Sequence, residues 1–166
     1  FVAQGLKVMS ARRNVGLNAL ASAARLNRAP TCSDLGFALG PRINAGGRVG
    51  KSDLGVRLLT TADPEEARLI AQELDRLNEE RRAIEAQVQE AAEAAMATQH
   101  NRAVALVSGE GWHPGVIGIV ASRIKDRYHR PVFAFARSSN GEIKGSGRSI
   151  AGLHLRDALD LVSKRA

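Results

Sequence analysis

A single cysteine, Cys32, in 166 residues excludes an intrachain disulfide and any cysteine-based zinc site, and makes a reducing compartment the simplest setting. Taken alone, it reads as a small apolar filler. Aromatic residues make up only 4% of the chain, so there is little material for a base-stacking platform. His100, His113, His129 and His154 are scattered, and no Asp-x-Asp or His-His pair occurs; the clustered ligands of a hydrolytic metal site are missing. Ser108 and His113 lack the elbow motif of a nucleophile and its base, and read as a turn serine and a helix-start histidine. No apolar run approaches the roughly 20 residues of a membrane span, and Phe1 to Gln4 lacks the layout of a signal peptide. Beginning on Phe1, the chain reads as a piece of a longer one.

What is present is charge, unevenly placed. The formal net charge is +7, which favours nucleic acid, an acidic partner or an anionic surface over a neutral small molecule. Residues 1–60 hold nine Lys/Arg against two Asp/Glu, residues 61–100 four against ten, and residues 101–166 eleven against five. The chain is basic, acidic, basic, a pattern of two cationic lobes around a solvated acidic connector.

The connector is predicted as a helix. Asp63-Pro64-Glu65-Glu66 supplies an N-cap acceptor, proline at the first helical position and a glutamate three residues after the cap. No Gly or Pro interrupts the run to about Thr98, and its composition favours helix. Ile70, Leu74, Leu77, Ile84, Val88, Ala91 and Ala95 form one narrow apolar stripe with Arg81 as its polar member. Such a helix bridges two lobes or pairs with another helix, a coiled-coil seam being the alternative. Its acidic residues read as solvated.

Beyond it, Ala103 to Val107 is predicted as a buried strand. His113-Pro114-Gly115 opens a helix with Val116, Ile117, Val120 and Ile124 on one face, and Pro131 to Ala136 forms a second strand. Ser138 to Gly141 is a turn, Glu142-Ile143-Lys144 starts a third strand, and Leu155, Ala158, Leu159 and Val162 mark a last amphipathic helix. That order is α/β, with a small mixed sheet. The first 62 residues read as mostly helical, with a short helix over Leu54 to Leu59.

Two Gly-rich, arginine-bearing runs read as phosphate sites: Lys144-Gly145-Ser146-Gly147-Arg148-Ser149, fed by the third strand, and Gly40-Pro41-Arg42-Ile43-Asn44-Ala45-Gly46-Gly47-Arg48. Backbone without Cβ atoms can turn its N–H groups to an anion, serine adds a donor, and arginine adds a charged fork. Ala45 to Ser52 differs from a P-loop only in having Ala45 where the first glycine belongs. The preceding segment, Leu35 to Arg42, has two glycines and a proline and is a poor strand, which argues against nucleoside triphosphate binding.

Taken together, Leu35-Gly36-Phe37-Ala38-Leu39-Gly40-Pro41-Arg42-Ile43-Asn44-Ala45-Gly46-Gly47-Arg48, Trp112-His113-Pro114-Gly115-Val116-Ile117-Gly118-Ile119-Val120-Ala121-Ser122-Arg123 and Lys144-Gly145-Ser146-Gly147-Arg148-Ser149-Ile150 resemble the bacterial RecJ single-strand-specific exonucleases. Order, spacing and the long helix between the first two blocks fit over nearly the whole chain. Gly46 departs from the family, which more often has alanine there. The resemblance implies an internal fragment of a DHH/DHHA1 phosphoesterase. Residues 1–62 would be the helical end of a DHH domain, 63–100 the connecting helix and 101–166 a partial α/β DHHA1 domain that binds substrate.

By the same resemblance the parent is a metal-dependent exodeoxyribonuclease that degrades single-stranded DNA from the 5′ end in recombination and repair, in the cytoplasm. It would use Mn2+ or Mg2+ held by motifs upstream of Phe1, with the Gly-Gly-His motif of DHHA1 beyond Ala166. The isolated chain would bind no metal and be inactive, and its partners would be single-stranded DNA and the missing DHH part, not a membrane. Ser146 and Arg148, with Lys144, Gly147 and Ser149 around them, match the residues that hold the 5′-terminal phosphate. Arg42, Asn44 and Arg48 match the block lining the DNA path. Trp112 is a candidate for stacking on a base or for packing, and His113 a candidate contact or a helix cap. Two other readings stay open: a related DHH-family phosphodiesterase acting on short oligonucleotides or small phosphate compounds, and a non-catalytic nucleic-acid-binding module.

Overall fold

The structure, a computed structural model, describes residues 1–165. The chain divides into two compact units, one of residues Phe1–Arg82 and one from Ala83 onward. The division falls inside the long helix, so each half of that helix belongs to a core of its own.

The first unit is helical. Helix α1 (Val2–Ser10) buries no residue. Helix α2 (Val15–Ala23) starts at Asn14, whose side chain accepts the Leu17 N–H at 2.8 Å, satisfying one of the four orphan donors of a helix start. A capping box of Thr31 and Asp34 begins α3 (Cys32–Asp34). It continues through a π-helical turn, Leu35–Leu39, into α4 (Gly40–Val49). Proline would ordinarily clash with the carbonyl four residues back and stop a helix. Here the widened turn lets the Gly40 N–H reach the Leu35 carbonyl, and Pro41 enters α4 at its first turn. Helix α5 (Leu54–Thr60) and the first half of α6 (Pro64–Met96) complete a core of Leu20, Leu39, Ala45, Leu58, Ala67, Leu74 and their neighbours.

Helix α6 begins as its sequence predicts, with the Asp63 carboxylate accepting the Glu65 N–H at 2.9 Å. Its apolar stripe does not run straight. Ile70, Leu74, Leu77 and Val88 are buried, but the far end buries Ala92 and Met96 while Ala91 is exposed and Ala95 half-buried. Leu74, Glu85 and Met96, all buried, lie eleven residues apart, the repeat of a nearly straight α-helix, whereas a seven-residue stripe drifts about 20° per heptad. The reading of its acidic residues as solvated holds for Glu65, Glu79, Glu80 and Glu90, which are exposed, and is corrected for three others. Glu85 is buried and pairs with Arg123, Glu93 pairs with Arg127, and Asp75 pairs with Arg42.

The second unit carries a three-stranded mixed sheet in the order β1-β2-β3. Strand β1 (Ala105–Glu110) pairs parallel with β2 (Val132–Arg137), joined by α7 (Pro114–Tyr128), a βαβ unit. Strand β3 (Ile143–Arg148) returns antiparallel to β2 after a turn in which Gly141 takes φ +83°. The core joins Val88, Ala92 and Met96 of α6 to Val107, Val116, Val120, Ile124, Val132 and Ala134. Gln99 fixes the start of β1 by exchanging two hydrogen bonds with the Leu106 backbone, at 2.7 and 2.9 Å. The last helix, α8 (Leu155–Ser163), buries no residue. Cys32 is exposed, not the apolar filler its rarity suggested. No helix of the described residues is long and apolar enough to cross a membrane.

Candidate phosphate sites

The run from Lys144 to Arg148 is not a loop fed by a strand; it is strand β3 itself. Its glycines answer to packing. Gly145 and Gly147 lie opposite Phe135 and Phe133 in the ladder, and a Cβ on either would fall within 2.8 Å of the ring it faces. The alternation of a strand then sends Lys144, Ser146 and Arg148 to the other face, opposite Ala136, Ala134 and Val132. That face carries α7, and because β3 is an edge strand the long polar side chains there still reach water.

On it the Arg148 guanidinium is held by neutral oxygens. Its Nε donates to Ser122 Oγ of α7 at 2.9 Å, and its Nη1 donates to Ser146 Oγ at 3.0 Å and to the Gly147 carbonyl at 2.8 Å. No carboxylate among the described residues pairs with it. An exposed arginine oriented by three acceptors but left with its full charge and both Nη2 protons is suited to an oxyanion, which the planar fork can grip in two places. Ser146 Oγ accepts from Arg148 and keeps its own proton for the same anion. Lys144 sits beside Glu142 at 3.6 Å, and Ser149 Oγ donates to the Leu153 carbonyl at 2.7 Å.

The second run is helical too. The expected glycine loop from Gly40 to Arg48 is α4, with Gly46 buried against Leu74, and a helix rather than a strand precedes the P-loop-like Gly50-Lys51-Ser52. The helix separates the three predicted side chains. Arg42 turns to α6, where its Nε donates to Asp75 Oδ1 at 2.7 Å and its Nη1 to the Ala38 carbonyl at 2.8 Å. Asn44 and Arg48, one turn apart, are both exposed on the opposite side.

Trp112 is half-buried against the core of the second unit and lies over Gly109, where a Cβ would meet its Nε1 at 2.1 Å. With Lys144 it lines a small cleft of about 60 Å³ that also includes Pro114 and Ser138. His113 caps α7, its Nδ1 accepting the Gly115 N–H at 3.0 Å. Sequence reasoning missed Ser122 and Gly118. The signal was available: both stand four apart on the polar side of a well-marked helix.

The DHHA1 domain family matches residues 99–165. The single-stranded-DNA-specific exonuclease RecJ of Dickeya dadantii is 47% identical over 96% of this chain and 29% of its own length. That of Escherichia coli is 46% identical over 95% and 28%. Among solved structures, RecJ from Thermus thermophilus in complex with Mn2+ superposes with a TM-score of 0.79 at 35% identity over 96% of this chain and 24% of that one. An exonuclease RecJ bound to manganese gives 0.79 at 36% identity over 94% and 38%. The chain spans under a third of the length of these curated relatives. By sequence and by fold the chain is similar, over nearly its whole length, to a segment of these RecJ exonucleases, and its residues 99–165 match the DHHA1 domain family.

Proposed function

We propose that this chain is the strand-gripping part of a metal-dependent exonuclease that removes nucleotides from the 5′ end of single-stranded DNA, in recombination and repair in the cytoplasm. The observation that carries the reading is Arg148: a charged fork fixed by Ser122, Ser146 and the Gly147 carbonyl, uncompensated, in a chain 47% identical to a single-stranded-DNA-specific exonuclease. Arg148 and Ser146 bind the terminal phosphate. Lys144 adds countercharge on the same face of β3, and Asn44 and Arg48 contact sugar or phosphate of the single strand. Arg42 supports α4 through Asp75 and acts through that contact.

Bond cleavage in this reading belongs to divalent ions, Mn2+ or Mg2+, which generate hydroxide and polarise the phosphoryl oxygens when bound. Among the described residues no group of three or more His, Cys, Asp or Glu is placed to hold a metal ion, so the residues present do not fit one. What these residues contribute is position: a terminal phosphate held in one place fixes which phosphodiester bond is presented for cutting.

Arg148→Ala in the full-length enzyme tests this. Loss of the charged contact is expected to weaken binding of a 5′-phosphorylated oligonucleotide by about 1.5–3 kcal/mol, measured by fluorescence anisotropy, with a smaller effect on the 5′-hydroxyl strand. Equal affinities before and after substitution would remove the role.

A further inference from the structure

We infer that Ser122 and Gly118 of α7 are positioning residues that set the enzyme's preference for a 5′-phosphate by fixing the Arg148 guanidinium; this rests on the terminal-phosphate reading of Arg148. The one proton of the Ser122 hydroxyl is already in use. The hydroxyl donates to the Gly118 carbonyl at 3.1 Å and accepts from Arg148 Nε at 2.9 Å, so it has no proton to offer a ligand and acts only through the arginine. With Nη1 donating to Ser146 Oγ and the Gly147 carbonyl, three of the five N–H groups are tied down in the plane of the fork. The remaining two, on Nη2, are thereby aimed instead of free to rotate away, which lowers the ordering cost of gripping an anion.

Gly118 makes the arrangement possible. A Cβ there would lie 2.8 Å from Arg148 Nη2 and 3.0 Å from Ser146 Oγ. Both are side-chain atoms, and the long arginine can swing away, so a methyl would expel the guanidinium from its seat without forcing apart any backbone. Alanine also suits a helix better than glycine. Gly118→Ala therefore separates the seat of the arginine from the stability of the fold.

The experiment uses the full-length enzyme with a chelator present, and measures the affinity for a 5′-phosphorylated oligonucleotide relative to its 5′-hydroxyl counterpart. Ser122→Ala is expected to lower this preference by about five- to tenfold. Ser122→Thr, which keeps a hydroxyl able to bond the carbonyl four residues back, restores it. Gly118→Ala lowers it to a similar degree with an unchanged melting temperature, and so carries the test if Ser122→Ala folds poorly. Ser122→Ala added to Arg148→Ala causes no further loss, because a positioning residue has nothing left to position. If Arg148→Ala abolishes the preference while Ser122→Ala and Gly118→Ala leave it intact, the positioning role is overturned and the site stands. If Arg148→Ala itself leaves the preference intact, the terminal-phosphate reading falls and the inference with it.

Discussion

Gly16 occupies the point where α2 meets α5, and a Cβ built on it would lie 1.7 Å from the Leu58 carbonyl oxygen. That neighbour is backbone and cannot swing aside, in contrast to the arginine over Gly118. Gly16→Ala is expected to destabilise the protein by about 3 kcal/mol, read as a lower urea midpoint; an unchanged midpoint would mean the helices do not pack this closely. Asp34 shows a second kind of local dependence. The Arg28 guanidinium, then the Thr31 hydroxyl and N–H, hold its carboxyl well below the usual carboxylate range. A folded value depressed in this way stabilises above the unfolded value of about 3.9 and is lost as pH falls toward the folded one. The melting-temperature gap between the protein and Asp34→Asn should accordingly be constant from neutral pH to about 5 and narrow progressively below about 4. A gap that stays the same down to pH 2 would show the carboxylate to be unpaired in solution.

At the scale of the element, α6 tests whether burial follows a heptad or the straight-helix repeat. Ala91 is exposed and Ala92 fully buried. Ala91→Leu is expected to change stability by less than about 0.5 kcal/mol, and Ala92→Leu to cost about 1–3 kcal/mol by overpacking, both from chemical denaturation. The reverse order would restore the simple stripe. The helix itself was legible from its cap, its composition and the absence of Gly and Pro, because these act within one turn. The phase of its far end was not. Alanine is apolar enough to count toward any stripe, and which alanines are covered depends on what the sheet brings against them. Strand β3 has the same lesson in stronger form: its glycines look like a loop until Phe133 and Phe135 of the neighbouring strand are seen to need the space.

For the whole molecule, charge and chemistry divide. The excess of arginine and lysine predicts an affinity for single strands that falls as salt rises. The isolated chain is expected to bind a 5′-phosphorylated oligonucleotide in a salt-dependent way, yet to leave it uncut when Mn2+ is added, as followed on a denaturing gel. Cleavage by the isolated chain would require a metal site among these residues. Much of this was written in the sequence: the α/β order, the long helix, the basic character, and the arginine and serine of β3, since local propensity, net charge and residue identity need no fold to be read. Other features were settled only when distant segments came together. Arg42 was claimed by Asp75, thirty-three residues away; Glu85 was drawn inside by Arg123; and Arg148 found its seat on Ser122 and above Gly118. A side chain's type is a property of the chain, but its hydrogen-bond partners and the room left around it belong to the packing of elements that the chain separates.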